Sequence, residues 1–292
     1  MALVHSVTRS SQDRTAASNV RKAVGAIEIG SDQAADAKDD RRTRIPFKDD
    51  FPFVGLLRKE FSGRVCTGTA TMIADGSCAL TCAHNVIDCI YKDSFPATSG
   101  WFELRRNEDQ TEGSTVTNRY RIVETQVYPK YFEAPTSNSG FDLALCWIAP
   151  EKDTSSGPGI PDLPTPTTGV SDLSGNIALV GFPGEKKDEK WGMSVAIPMD
   201  KKKDWTYSEE KKILIVYDFI DTSPGQAGSP IMHLGMEQGP YQIVGIHTGG
   251  SQIYEKKWGT FITRDKLEWI ACCLGRPWKI CTGNYNQLYL GK

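Results

Sequence analysis

The region from about Phe51 to Thr263 consists of short runs of β-branched and aromatic residues separated by Gly, Pro, Asn, Asp and Ser. Such spacing is typical of all-β sandwiches and barrels, because each cluster of turn residues ends one strand before the next begins. We therefore predict strands in two groups. The first group covers 67–73, 78–83, 101–106, 120–128 and 142–148, and the second covers 177–182, 192–199, 212–219, 242–248 and 258–263.

The two groups are separated by a segment that contains four prolines and scattered Ser and Thr, which a central strand or a helix would not tolerate. After Thr263 the apolar residues return at helical spacing, and a glycine and a proline end the pattern. The predicted helical face consists of Leu267, Ile270, Ala271 and Leu274, with Gly275 and Pro277 as the stop. The predicted units are a tail at 1–38, a first β lobe at 45–150, a linker at 151–172, a second lobe at 173–263, and a helix with its extension at 264–292.

Composition excludes several classes of function. The chain has a net charge of −2, so it lacks the excess of Lys and Arg that a phosphate-binding surface needs. We therefore expect no nucleic-acid partner. We expect no membrane partner either, because no apolar stretch approaches the roughly 20 residues that span a bilayer. The eight cysteines have irregular spacing without a CxxC pair, which indicates neither a metal nor a cofactor. One or two disulfides and a set of buried free thiols are both compatible with that spacing.

Three separated segments carry residue types suited to acyl transfer. The segment TCAHN places His84 after an apolar run, and an imidazole with a pKa near 6.5 suits general-base work. The segment FDLAL places Asp142 at the start of an apolar run, where a carboxylate must be paired or exposed. The segment GQAGSP, residues 225–230, is a glycine turn of the kind that points successive amide groups into one concavity.

This order of His, Asp and glycine turn resembles the chymotrypsin-like serine proteases, and finer blocks resemble their glutamyl endopeptidase branch. The blocks are DDR (Asp39, Asp40, Arg41), GFPGEK at 181–186, YDF followed by DT within 217–222, and GIHTGG at 245–250. The resemblance implies an all-β fold of two six-stranded antiparallel β-barrels with a C-terminal helix. It also implies a hydrolase that cuts a peptide or protein substrate.

Carried over residue by residue, the resemblance makes His84 the base, Asp142 the orienting acid, and the amides of Gly225 and Ala227 the oxyanion hole. The nucleophile falls on Ala227, which has no nucleophilic atom, so this sequence is expected to be inactive. Ser229 lies two residues further on and matches the serine that follows the family's nucleophile turn rather than a substitute nucleophile. Two explanations of Ala227 stay open, an engineered knock-out and a natural pseudoprotease that binds peptides without cutting them.

The resemblance also implies a pocket for the residue before the cut bond (P1). Its expected lining is Asp221, Thr222, Ser223, His247, Thr248, Gly249 and Gly250. Thr222 and His247 match the residues that hold a P1 glutamate, so cleavage after Glu or Asp is expected. Asp221 supports the opposite alternative, because a carboxylate six residues before the nucleophile position recruits Arg or Lys in trypsin-like members.

The tail at 1–38 lacks a core pattern, and by resemblance it is a pro-segment of a zymogen; the alternative is a disordered tail. The resemblance favours a secreted monomer, although the N-terminus lacks the apolar core of a signal peptide.

Overall fold

The computed structural model describes residues 42–45, 51–61, 64–88, 95–96, 99–107, 115–136, 139–151, 163–167, 175–184, 190–197, 206–207, 214–217, 220–234, 241–251 and 256–275. The expected tail at 1–38, the DDR block, most of the linker and the C-terminal extension after 275 lie outside these ranges. Within them the chain forms 17 strands and one α-helix, which we call α1.

The strands of the first lobe are β2 (Val54–Phe61), β3 (Arg64–Ile73), β4 (Cys78–Thr81), β5 (Ile87–Asp88), β6 (Phe95–Pro96), β7 (Ser99–Asn107), β8 (Thr115–Val127) and β9 (Ala144–Pro150). Those of the second sheet are β1 (Thr43–Ile45), β10 (Thr165–Pro166), β11 (Gly175–Gly181), β12 (Lys190–Ile197), β13 (Thr206–Tyr207), β14 (Leu214–Tyr217), β15 (Pro230–Leu234), β16 (Gln242–Ser251) and β17 (Lys256–Phe261). Helix α1 spans Arg264–Gly275.

The first lobe is a closed barrel in the order β2-β3-β4-β9-β8-β7, and every neighbouring pair is antiparallel. Its interior is filled by side chains such as Phe102, which is fully buried. Gly55 makes room for that ring, since a Cβ at this position would collide with it. Closure leaves the barrel itself without a free sheet edge, and the separate two-stranded β5-β6 sheet follows β4 in the chain.

The second lobe is a nine-stranded sheet in the order β1-β12-β11-β15-β16-β17-β14-β13, with β10 paired in parallel to β16. The all-β fold with a C-terminal helix is as predicted, and the first six-stranded barrel is closed. The described part of the second lobe has more strands than the six expected, because the short strands β1, β10 and β13 add to its edges.

Helix α1 packs on the first barrel. Tyr128, at the end of β8, donates a hydrogen bond from its hydroxyl to Asp265 at 2.6 Å and contacts Trp269 edge-on. The buried positions of the helix are Lys266, Ile270 and Cys273, whereas Ala271, expected on the inner face, is exposed. Lys266 can be buried because its Nζ reaches the Phe261 carbonyl at 2.8 Å, and burial lowers its pKa to about 8 against the opposing charge of Asp265.

All ten predicted strand runs overlap observed strands, but β2, β15 and the short strands β1, β5, β6, β10 and β13 were not predicted. Strand β2 carries Arg58, Lys59 and Glu60, which hide its apolar pattern, and β15 begins with Pro230 directly after the glycine turn. Asp142 also lies just before β9 rather than inside it.

Among the described cysteines, six are free thiols, and Cys78, Cys82, Cys146 and Cys273 are buried. Cys89 and Cys281 lie outside the described residues. Within the described ranges, no helix has both the length and the apolar character needed to cross a membrane.

Candidate active site

His84 and Asp142 lie in the first lobe and contact each other at two points. His84 lies in a short 3-10 turn, Ala83–Asn85, directly after β4, and Asp142 lies just before β9, the strand that pairs with β4. The Asp142 carboxylate accepts a hydrogen bond from the His84 backbone amide at 3.0 Å and contacts Nδ1 of its ring at 2.6 Å. One carboxylate therefore fixes both the backbone and the ring of the histidine.

The electrostatics of this pair favour a charged ring. Burial alone would lower the pKa of His84, but the adjacent Cys82 and Asp142 outweigh that effect and raise it well above the usual value. Burial also raises the pKa of the Cys82 thiol, which is therefore neutral at pH 7. Because a neutral thiol supplies little charge, Asp142 is the group that stabilises the imidazolium. The ring can thus accept a proton and hold it.

Cys82 lies beside the other ring nitrogen, with its Sγ 3.7 Å from Nε2 of His84. Cys82, His84 and Asp142 offer ligand atoms that all lie within 4.8 Å of one another, which is the spacing of a potential metal site. Asp142 already contacts Nδ1, so only Cys82 Sγ and Nε2 could face one ion together. Two ligands fall short of the four in a structural zinc site and the three in a catalytic one.

The glycine turn contains the two amide groups that are expected to form an oxyanion hole. Gly225 and Gly228 flank Ala227 with φ values of +95° and +90°, which non-glycine residues rarely adopt. Within the described residues, neither the Gly225 amide nor the Ala227 amide donates to a backbone carbonyl. Among the described residues these two amides, on either side of Gln226, therefore have no backbone acceptor, as the donors of an oxyanion hole require.

The first lobe holds this turn through the carbonyl of Ala227. That oxygen accepts from the Thr69 amide at 2.8 Å and from Nδ2 of Asn85 at 2.9 Å. Asn85 follows His84 directly in the sequence, so one short segment supplies both the candidate base and a hydrogen-bond donor to the turn. The expected site residues His84, Asp142 and Ala227 are thereby brought to the junction of the two lobes.

The second lobe holds the turn from the other side. The Gly228 amide donates to the His247 carbonyl at 2.7 Å, and the His247 amide donates to the Ser229 carbonyl at 2.8 Å. Gly184, from the GFPG block, donates from its amide to the Pro224 carbonyl. Two of the quoted blocks, GFPGEK and GIHTGG, thus meet at the turn through Gly184 and His247.

Ser229 is fully buried, and its hydroxyl is a buried polar atom with no hydrogen-bond partner among the described residues. It packs against Gly181, where any Cβ would collide with the Ser229 hydroxyl. A hydroxyl enclosed in this way cannot attack a substrate carbonyl in the cleft, which agrees with its interpretation as a structural serine.

The expected pocket residues come from two segments, and a third segment joins them. Asp221, Thr222 and Ser223 are half-buried before the turn, while Thr248 is buried and Gly249 and Gly250 become progressively more exposed along β16. Lys257 in β17 pairs in register with Gly250, and its Nζ lies 3.9 Å from Asp221 Oδ1. The side chains of Lys257 and Asp221 are 20% and 23% exposed, so this ion pair is partly accessible to solvent.

His247 is nearly fully buried, and its ring bonds to the backbone of Trp258. Burial, helped by the positive charges of His84 and Lys257, lowers its pKa to about 3. The ring is therefore neutral at pH 7, whereas the nearby Lys257 carries a positive charge.

Sequence reasoning missed five residues that organise the site, namely Arg42, Thr69, Asn85, Gln226 and Lys257. Asn85 and Gln226 belong to the motifs TCAHN and GQAGSP, so their proximity to the site could have been noticed. Arg42 directly follows the DDR block, whereas Thr69 and Lys257 lie outside the quoted motifs, and only folding brings all three to the site.

The sequence matches no protein-family model and no curated protein. Solved structures do match. A Glu endopeptidase in complex with MPD superposes with a TM-score of 0.57 at 21% identity, over 80% of this chain and 97% of that one. The protease Anisep from Arthrobacter nicotinovorans gives 0.53 at 11% identity, over 75% and 93%.

A thermostable serine protease, AL20, from an extremophilic microorganism gives a TM-score of 0.53 at 12% identity, over 83% of this chain and 99% of that one. These identities are low, but the alignments run through nearly the whole of each neighbour. Together with the closed six-stranded barrel, the second β lobe and the C-terminal helix, they show that this chain has the fold of the chymotrypsin-like serine proteases.

Proposed function

We propose that this chain is a serine endopeptidase of chymotrypsin-like type in which alanine occupies the position of the nucleophile. The observation that carries the proposal is that the Asp142 carboxylate accepts a hydrogen bond from the His84 backbone amide at 3.0 Å and contacts Nδ1 of its ring at 2.6 Å. Beside this pair lies a glycine turn whose Gly225 and Ala227 amides donate to no backbone carbonyl among the described residues. Base, orienting acid and oxyanion donors are the parts that peptide hydrolysis needs besides a nucleophile. With Ala227 in place, the expected activity is peptide binding without turnover.

The proposed P1 residue is Glu or Asp. Lys257 lies beside Asp221 and offsets its negative charge, which weakens Asp221 as a partner for Arg or Lys. The same ammonium is a partner for an acidic side chain, and Thr222 supplies a hydroxyl in the same pocket. Cleavage after Arg or Lys, directed by Asp221, is the alternative specificity.

Restoring the hydroxyl tests the activity. Ala227→Ser adds one oxygen at a half-buried position, so the fold should be retained, and peptide pools that vary the P1 residue should then be hydrolysed. The control is His84→Ala in the same background, which should lower kcat/KM by about 10³-fold or more. A folded Ala227→Ser protein without turnover on any pool would support the natural pseudoprotease instead.

Lys257→Met in the Ala227→Ser background tests the specificity. Loss of a charged hydrogen bond should lower kcat/KM for a P1 Glu peptide by roughly 10- to 100-fold, while a P1 Gln peptide should change little. Lys256→Met, a change at the neighbouring lysine of β17, is the matched control. Cleavage that switches to Arg or Lys only in the Lys257 variant would identify Asp221 as the floor of the pocket.

A further inference from the structure

Arg42 connects the segment before β1 to the glycine turn. β1 pairs antiparallel with β12, with Thr43 opposite Gly192 and Ile45 opposite Lys190, so this arm is attached to the second lobe. Arg42 is the residue directly before the strand. Its position is therefore fixed by the sheet even though it is far from the turn in sequence.

One guanidinium nitrogen of Arg42 reaches two residues of the turn. Nη1 donates to Ser223 Oγ at 2.7 Å and to Gln226 Oε1 at 2.9 Å. The same Oε1 also accepts from the Ser223 backbone amide at 3.0 Å, and the Gln226 amide donates to the Ser223 carbonyl at 3.1 Å. Gln226 is fully buried, so its side chain is held inside the turn by a charged donor.

The location of Gln226 gives this contact a consequence for chemistry. Gln226 lies between Gly225 and Ala227, and the peptide unit that follows it carries the Ala227 amide. An oxyanion hole works only if its donors are oriented before the reaction, and removal of one donor typically lowers kcat by 10²- to 10³-fold. A buried side chain anchored at two points restricts rotation of that peptide unit.

We propose that Arg42 is a positioning residue that orients the Ala227 amide by holding Gln226 and Ser223. The assignment of that amide to an oxyanion hole rests on the proposed function, but the control of the turn by Arg42 does not. The arm before β1 would then set the geometry of the site through a side chain of its own. Any process that displaces this arm would loosen the turn.

Hydrogen exchange in the unmodified chain, with alanine at position 227, tests whether Arg42 holds the glycine turn. Arg42→Ala should speed exchange of the Gln226 amide, and with it the Gly228 and Ser229 amides, by about 10-fold or more, because local opening of the turn becomes easier. Exchange within β8 and β9 should not change. Arg44→Ala, an exposed arginine two residues further on, is the matched control. Equal exchange in the two variants would overturn the proposal.

Kinetics in the Ala227→Ser background test the chemical part. Arg42→Ala should lower kcat by roughly 10- to 100-fold with KM nearly unchanged, since an oxyanion donor acts in the transition state. Added guanidinium ion at low millimolar concentration should restore part of that loss in Arg42→Ala but not in Gln226→Met. If Arg42→Ala lowers both kcat and Tm and guanidinium ion does not restore kcat, the role of Arg42 is purely structural. If Ala227→Ser has no activity, the proposed function fails, and the exchange experiment still decides the role of Arg42.

Discussion

At the scale of single residues, one carboxylate determines the state of the candidate base. Asp142 is fully buried and contacts His84 at two points, so its charge is offset mainly by that imidazole. His247 is also a histidine of this region, but burial lowers its pKa, helped by the positive charges of His84 and Lys257. The two rings are therefore driven in opposite directions by their surroundings.

We expect this difference to appear in an NMR titration of the chain as it stands. The His84 ring should titrate well above pH 6.5, and the His247 ring should stay neutral down to about pH 3. Asp142→Asn should move the His84 titration to lower pH, because the stabilising charge is lost. A His84 pKa that is unchanged by Asp142→Asn would contradict this account.

The raised pKa of His84 also makes the stability of the protein depend on pH. A pKa raised on folding means that the folded state binds more protons than the unfolded state between about pH 6.5 and the folded pKa. The contribution of His84 to stability is complete below this window and is lost as the pH rises through it. His247 acts in the opposite sense, since its lowered pKa favours folding above about pH 6.5.

At the scale of elements, the glycine turn is held by contacts from both lobes. Gly228 has a positive φ, and a Cβ there would collide with the Thr69 carbonyl and the Thr81 hydroxyl. The close approach is what lets the Thr69 amide reach the Ala227 carbonyl. The turn is therefore defined by neighbours that its own sequence does not contain.

Gly228→Ala should lower the free energy of unfolding by about 2 kcal/mol or more, because it adds both backbone strain and a clash in a buried place. Gly275→Ala is the matched control, since a Cβ there meets no atom within 4 Å. Chemical denaturation of both variants measures the difference. Equal midpoints for Gly228→Ala and the unmodified chain would show that the turn can shift without loss.

At the scale of the whole molecule, the two lobes are joined by several polar contacts. One of them is buried: Nζ of Lys190 in β12 donates to the carbonyl of Phe51, just before the barrel, at 2.9 Å. Helix α1 adds a second connection, because it follows the second lobe in sequence and packs on β8 of the first. The candidate site lies between lobes that are tied together on more than one side.

Lys190→Met should therefore destabilise the protein by about 1 to 3 kcal/mol, since it removes the charged one of two donors to the Phe51 carbonyl, the other being the Val54 amide. Differential scanning calorimetry should show a lower Tm. Ala271→Met, which places a similar side chain at an exposed position of α1, serves as the control for added hydrophobic volume. A Tm unchanged by Lys190→Met would mean that this contact does not hold the lobes together.

Local patterns in the sequence were sufficient for much of the fold. Alternating apolar runs and turn residues located ten strands and the helix, because those signals are set by neighbouring residues. They failed for β2, whose charged residues interrupt the pattern, and for the inner face of α1, where Lys266 is buried through a hydrogen bond to Phe261. In α1 a hydrogen bond to a backbone carbonyl outweighs the usual preference of a lysine for solvent.

The sequence alone determined that His84, Asp142 and the turn around Ala227 have the residue types for peptide hydrolysis, and that a nucleophilic atom is missing at position 227. Only the tertiary structure decided that Asp142 holds His84 at two points, that His247 is neutral, that Lys257 joins Asp221, and that Arg42 reaches Gln226. The reason is physical. Residue identity sets what a side chain can do, whereas its charge state and partners depend on burial and distance, which arise only when segments far apart in the chain are packed together.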